Sequence, residues 1–191
     1  MIKKTGLIVS FFLLAIVPVQ AQQTPETISV TSSVIEHHGI LPEENSAYGA
    51  NRSIDLAWDN LPAGTVELAL IMDDPKVVEL GMMPEPFVHW VAYNIPAGAE
   101  GLPAALTSEE QVSGIEGLDG MINGVNGLRR AGYFGPRPPA NGQLHDYHFR
   151  LYALDSDLDL APGLNKAQLL EAMDGHVLAT GMLMGHYERK E

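Results

Sequence analysis

The chain has no cysteine among its 191 residues, which excludes disulfides, thiolate nucleophiles, cysteine-held metals and a lipid-acceptor thiol. Positive charge is scarce too: 11 Lys and Arg stand against 24 Asp and Glu, a net charge of −13. A field of that sign repels phosphate backbones and anionic lipid surfaces, so nucleic acid is not expected as a partner. An anionic ligand has to be held by local donors. Long apolar runs are missing beyond the first residues, where Leu7 to Val17 supplies about 11 apolar residues against the roughly 20 that a spanning helix needs. Lys3 and Lys4 precede that run, Pro18 ends it, and Val19-Gln20-Ala21 follows. This layout predicts a secretory signal over residues 1–21, cleaved after Ala21. Residues 22–191 are then expected to form one domain with no stable membrane anchoring, in a periplasm or secreted.

The remaining composition, 46% hydrophobic with 19 Gly and 13 Pro, is that of a globular domain rich in turns. Strands are predicted over Ile28–Val34, Ser53–Trp58, Val66–Asp74, Phe87–Ile95, Leu144–Leu154 and His176–Tyr187. A short helix is predicted over Lys166–Met173, opened by Asn165 as N-cap and stopped near Gly175. Pro75 to Pro86 reads as a loop rich in Met and Pro. Pro96 to Gly132 reads as a long Gly-rich connection, of the kind that is usually functional or mobile. With no βαβ alternation, the pattern predicts a mainly β protein, an antiparallel β-sandwich with a short C-terminal helix and long decorated loops.

Period-two alternation assigns faces. Val66, Leu68, Leu70 and Met72 share one face, which Asp74 continues; Phe87, His89, Val91, Tyr93 and Ile95 share another. His145, Tyr147, Phe149, Leu151 and Ala153 form a core face opposite a wet one of Asp146, His148, Arg150 and Tyr152. Asp74, His89 and His145 therefore stand inward near strand ends, with Tyr147 beside them. A buried polar group without a partner costs about 1–3 kcal/mol, so these four are expected to meet one another or a ligand. Imidazole N–H groups, the Tyr147 hydroxyl and the amides of Phe134, Gly135 or Arg137 would suit a small oxyanion. Pro136, Pro138 and Pro139 would wall the site, and Asp74 would set a histidine tautomer or meet an ammonium group.

The stretch Asp74-Pro75, with Phe87-Val88-His89-Trp90-Val91-Ala92-Tyr93-Asn94-Ile95-Pro96, resembles the first signature of the phosphatidylethanolamine-binding, or Raf kinase inhibitor-like, proteins. Gly124-Val125-Asn126, Gly132 through Gly142, and His145-Asp146-Tyr147-His148-Phe149 are similar to the second, and Gly175 through Arg189 resembles the ending of the bacterial branch. The resemblance implies a β-sandwich with a pocket for phosphate, phosphorylated head groups or acetate-like anions, formed by Asp74, His89, Gly135, Pro136, His145 and Tyr147. It implies no cofactor, and a homodimer is compatible with it. Lys76 and Val78 depart from the family's usual Asp-Pro-Asp-x-Pro, and Asp146 replaces a basic residue. Lys76 either removes a carboxylate from the pocket rim or adds a cation to it.

The function expected is that of an exported, non-catalytic binding protein for a small phosphate-type or other anionic ligand, with modulation of a protein partner open. The alternative is a hydrolase using Asp74, His89 and His145 on a phosphoryl or acyl centre. No Ser stands in a Gly-x-Ser-x-Gly context to support it. No metal site is expected either, because side chains at His37-His38 or at His145 and His148 point to opposite strand faces.

Overall fold

The computed structural model describes residues 28–190, so the signal expected over residues 1–21 lies outside the described residues. Strands β1 (Ser29–Thr31), β3 (Leu56–Asp59) and β6 (Gly101–Leu102) form a three-stranded sheet in the order β1-β3-β6. The larger sheet is built from β2 (Gly39–Ile40), β4 (Glu67–Asp74), β5 (Phe87–Pro96), β7 (Ile122–Asn123), β8 (His145–Leu154) and β9 (Val177–Tyr187). Its order is β2-β9-β8-β4-β5-β7. Of these pairings, that of β2 with β9 is parallel and the others are antiparallel. Leu56, Trp58, Leu70, Trp90, Phe149 and Leu183 are among the residues of the core between the sheets. The fold is the mainly β, two-sheet arrangement that the turn-rich pattern predicts.

Strand β8 keeps its predicted alternation, buried at His145, Tyr147, Phe149, Leu151 and Ala153 and half-buried between them. Its neighbour β4 does not have a wet face. Leu68, Leu70 and Met72 enter the core between the sheets, while Ala69 and Ile71 join a second apolar layer with Leu169 and Met173. Helix α2 (Lys166–Ala172) supplies Leu169 to that layer, so a central strand alternates between two dry surroundings rather than between core and water.

The single face expected for Phe87, His89, Val91, Tyr93 and Ile95 is corrected by two bulges. The β4–β5 register steps from Asp73–Val88 to Met72–Trp90, which leaves His89 as an extra residue. A second step, from Leu68–Ile95 to Leu70–Ala92, falls at Asn94, whose φ of 53° suits asparagine better than most residues. Val91 and Tyr93 are thereby turned into the second layer, and Ile95 stays in the first.

Two loop readings also change. Pro75 to Pro86 opens with one helical turn, α1 (Lys76–Glu79), because Asp74 Oδ1 accepts from Lys76 N at 2.9 Å. Pro96 to Gly132 is not structureless, since it carries β6 and β7 and is pinned by Asn123. That buried side chain accepts from Trp90 Nε1 at 2.8 Å and donates to Thr107 O at 2.9 Å and Glu109 O at 2.7 Å.

Helix α2 begins as predicted. Asn165 accepts from Gln168 N at 3.1 Å, and Gln168 Oε1 accepts from Asn165 N at 3.0 Å, a reciprocal capping box. Asn165→Ala is expected to lower the unfolding free energy by about 1 kcal/mol, read as a shifted urea midpoint at unchanged slope. An unchanged midpoint would show that packing of Leu169 alone holds the helix.

Candidate functional site

Antiparallel pairing brings the C-terminal end of β4 beside the N-terminal ends of β5 and β8, as the partners Asp74–Phe87 and Asp73–His148 record. Asp74, His89 and His145 are therefore gathered at one end of the sheet, from residues far apart in sequence. They line a cavity of about 250 Å³ with Tyr147, Phe87, Phe134, Met82 and Met83. Val77, Leu128, Arg137, Pro138 and Pro139 complete the wall.

At the floor, His145 Nδ1–H donates to Asp74 Oδ2 at 2.7 Å, with both side chains buried. A carboxylate only accepts, so the proton sits on Nδ1 and Nε2 is the nitrogen left for other partners. Asp74 is held in turn through its other oxygen by Lys76 N. His89 Nδ1–H donates to Phe134 O at 2.6 Å, and its ring stacks on Phe134 with centroids 5.7 Å apart and planes within 6°. Burial pushes the His89 pKa down to about 4, against smaller raising effects of the Phe134 carbonyl and the Asp74 charge. His89 is thus a neutral imidazole at pH 7. Burial also pushes the Tyr147 hydroxyl well above its usual range, so it stays protonated.

Two floor atoms stand out. His145 Nε2 and the Tyr147 hydroxyl are fully buried polar atoms without a hydrogen-bond partner in the protein. Such atoms are costly to leave unpaired, and here both belong to residues lining the same cavity. Two larger surface grooves, about 440 Å³ beside Tyr48 and Arg189 and about 500 Å³ beside α2, are lined by no residue with such an atom.

Four of the six expected pocket residues, Asp74, His89, His145 and Tyr147, come together. Gly135 and Pro136 are not among the cavity-lining residues. Gly135 packs so tightly on the segment Asn45–Ala47 that a Cβ there would lie 2.3 Å from Asn45 O. Two of the three amides expected to cradle an anion are already used: Phe134 N donates to His89 O at 2.9 Å and Gly135 N to Asn51 Oδ1 at 2.7 Å. Pro138 and Pro139 do form wall. Lys76 points its ammonium at Glu79, 2.6 Å away, and is absent from the lining, so its Nζ supplies no cation to the cavity; Arg137 is the cationic residue there. Leu128 was not foreseen, since it lies in an aperiodic Gly-rich stretch and is placed by a turn in which Leu128 N donates to Asn126 Oδ1.

The model of the phosphatidylethanolamine-binding protein family matches residues 31–188, and the chain belongs to that family. It is 40% identical over 163 residues to a UPF0098 protein of Methanothermobacter thermautotrophicus, covering 85% of this chain and 99% of the relative. It is 33% identical over 163 residues to the Mycobacterium tuberculosis protein named "Putative lipoprotein LppC", covering 85% of this chain and 73% of the relative. Among solved structures, E. coli YbcL, titled a new member of the mammalian PEBP family, superposes with a TM-score of 0.75 at 26% identity. That match covers 86% of this chain and 99% of YbcL.

Proposed function

We propose that this protein is a non-catalytic binding protein whose cavity takes a small amphiphilic anion, a phosphate-type head group with an apolar portion. The observation that carries the reading is the pair of unpartnered buried atoms, His145 Nε2 and Tyr147 OH, on residues that line a mostly apolar cavity. One phosphoryl oxygen would accept from the Tyr147 hydroxyl, and a phosphoryl O–H would donate to His145 Nε2. Met82, Met83, Phe87 and Leu128 would cover the apolar portion, and Arg137 would offset charge at the wall. Export as a soluble protein, from a signal over residues 1–21, is part of this reading. The N-terminal residue pattern and the lipoprotein name of the mycobacterial relative support export, and the lack of cysteine supports the absence of a lipid anchor.

Because neutral His89 and the Asp74 carboxylate give the floor acceptors rather than cations, the protein should prefer the phosphate form that still carries a proton. The second pKa of a phosphate monoester is near 6, so affinity for O-phosphorylethanolamine is expected to rise as pH falls from about 8 to about 6. The check is an NMR titration with inorganic phosphate and with O-phosphorylethanolamine at both pH values. Saturable shifts at His89, Phe134 and His145, tighter at the lower pH, are expected. No saturable shift with either compound would overturn the reading.

The Asp74–His145 pair also has the geometry of a base with its orienting carboxylate, which is the observation favouring a hydrolase. The lining includes no Ser or Thr, so such a reaction would need water as nucleophile. Growth of free phosphate during the O-phosphorylethanolamine titration, lost in His145→Ala, would decide for it.

A further inference from the structure

Away from the cavity, β2 pairs with β9 in parallel register, with Gly39 opposite Gly185 and Ile40 opposite His186. His38 N donates to Met184 O and Leu41 N to His186 O, each at 2.7 Å, which fixes the register on both sides. The result places His38 Nδ1 3.3 Å from His186 Nε2, between residues 148 apart in sequence. The His38 backbone sits at a φ of 67°, a left-handed conformation that costs free energy for most non-glycine residues.

The other nitrogen of His186 is engaged: Nδ1–H donates to Asp146 Oδ1 at 2.7 Å. That bond fixes the tautomer and leaves Nε2 with a lone pair directed at His38. Two imidazole nitrogens, each about 2.0–2.1 Å from a tetrahedral cation, stand about 3.3 Å apart. Metal-ligating histidines almost always donate their second N–H to a carboxylate, a carbonyl or water, which orients the ring and raises its basicity, and His186 meets that condition. The site is open to solvent, with His38 exposed and the His186 side chain 16% exposed, and the chain's net charge of −13 attracts cations.

We propose that His38 and His186 chelate a divalent transition-metal cation of the zinc or nickel type, with Asp146 as the carboxylate behind His186. Water completes the coordination, since among the described residues no cluster of three or more His, Asp or Glu side chains is arranged for a metal. His37 takes no part through Nδ1, which accepts from Met184 N at 3.2 Å. No sequence pattern marks this pair, because its members lie 148 residues apart.

The test is calorimetric titration of the untagged purified chain with zinc chloride and with nickel chloride, alongside NMR of the histidine ring nitrogens. One metal per chain is expected, with the His38 Nδ1 and His186 Nε2 resonances perturbed. His38→Ala and His186→Ala should each weaken binding at least tenfold, and Asp146→Asn by tenfold to a hundredfold. Amide spectra of the metal-free variants report whether the fold is kept. Should His186→Ala disturb it, His38→Ala, on the exposed side, carries the test alone. Uptake unchanged in His38→Ala, or no uptake by the parent chain, overturns the proposal and leaves the contact as an N–H to N hydrogen bond.

Discussion

His145→Phe is expected to lower the unfolding free energy by about 3–5 kcal/mol at pH 7, because it leaves the Asp74 carboxylate buried without its partner. Phenylalanine keeps most of the ring volume, so the loss reports the lost pairing rather than a cavity. The carboxyl of the variant has one escape, which is to hold its proton in the folded state. A carboxyl that binds its proton more tightly when folded than when unfolded loses stability as pH rises. The deficit of His145→Phe against the parent should therefore be smaller at pH 5 than at pH 7, read from urea unfolding at both. Adding Asp74→Asn should recover part of the loss, since a neutral amide of the same size removes the buried charge and keeps an acceptor for Lys76 N. A deficit that is equal at the two pH values, or not relieved in the double variant, would place the cost in packing.

The sequence carried β8 and α2 nearly whole. Strand β8 has a buried face and a half-buried polar one, which is the condition under which period two is visible. The cap of α2 is a local side-chain to backbone bond, legible from Asn165, and the structure adds Gln168 as its reciprocal partner. Strand β5 was misread for the opposite reason. Its parity is reset at His89 and Asn94 by bulges, and both faces are apolar, so no change of polarity marks the resets. Similarly, β4 has Ala69 and Ile71 on a face that only α2 and its approach make dry.

The candidate site divides along the same line. Asp74, His145 and Tyr147 were legible because each stands on a strand whose parity holds from core to end. His89 was placed inward, but by an alternation that the structure does not keep; the bulge itself turns it toward Tyr147, with ring centroids 5.1 Å apart. Gly135 illustrates the limit of assigning a glycine to a ligand. Its missing side chain serves a close backbone approach to Asn45, and its amide serves Asn51, both long-range contacts that no local pattern encodes. The pairing of His38 with His186 is of the same kind, set by a two-residue parallel edge strand too short to show any periodicity.

Tyr147→Phe is expected to act on stability and on binding with opposite signs. The hydroxyl is buried and no protein group pairs with it, so no hydrogen bond within the protein offsets the cost of desolvating it. Removing that one oxygen keeps the ring, its edge-on packing against His89 and its place in the core. The variant should therefore be more stable than the parent by about 1–3 kcal/mol. Binding should change the other way, because the phosphoryl oxygen loses its donor and is left unpaired in an apolar cavity, a loss of at least about tenfold in affinity for O-phosphorylethanolamine. Thermal unfolding and the NMR titration on the same samples decide the matter. Higher stability with weaker binding is the signature of a hydroxyl kept for a ligand. A variant that is less stable and binds equally well would mean that the hydroxyl is satisfied inside the protein, and the head group would then have to be placed on His145 and Arg137 without it.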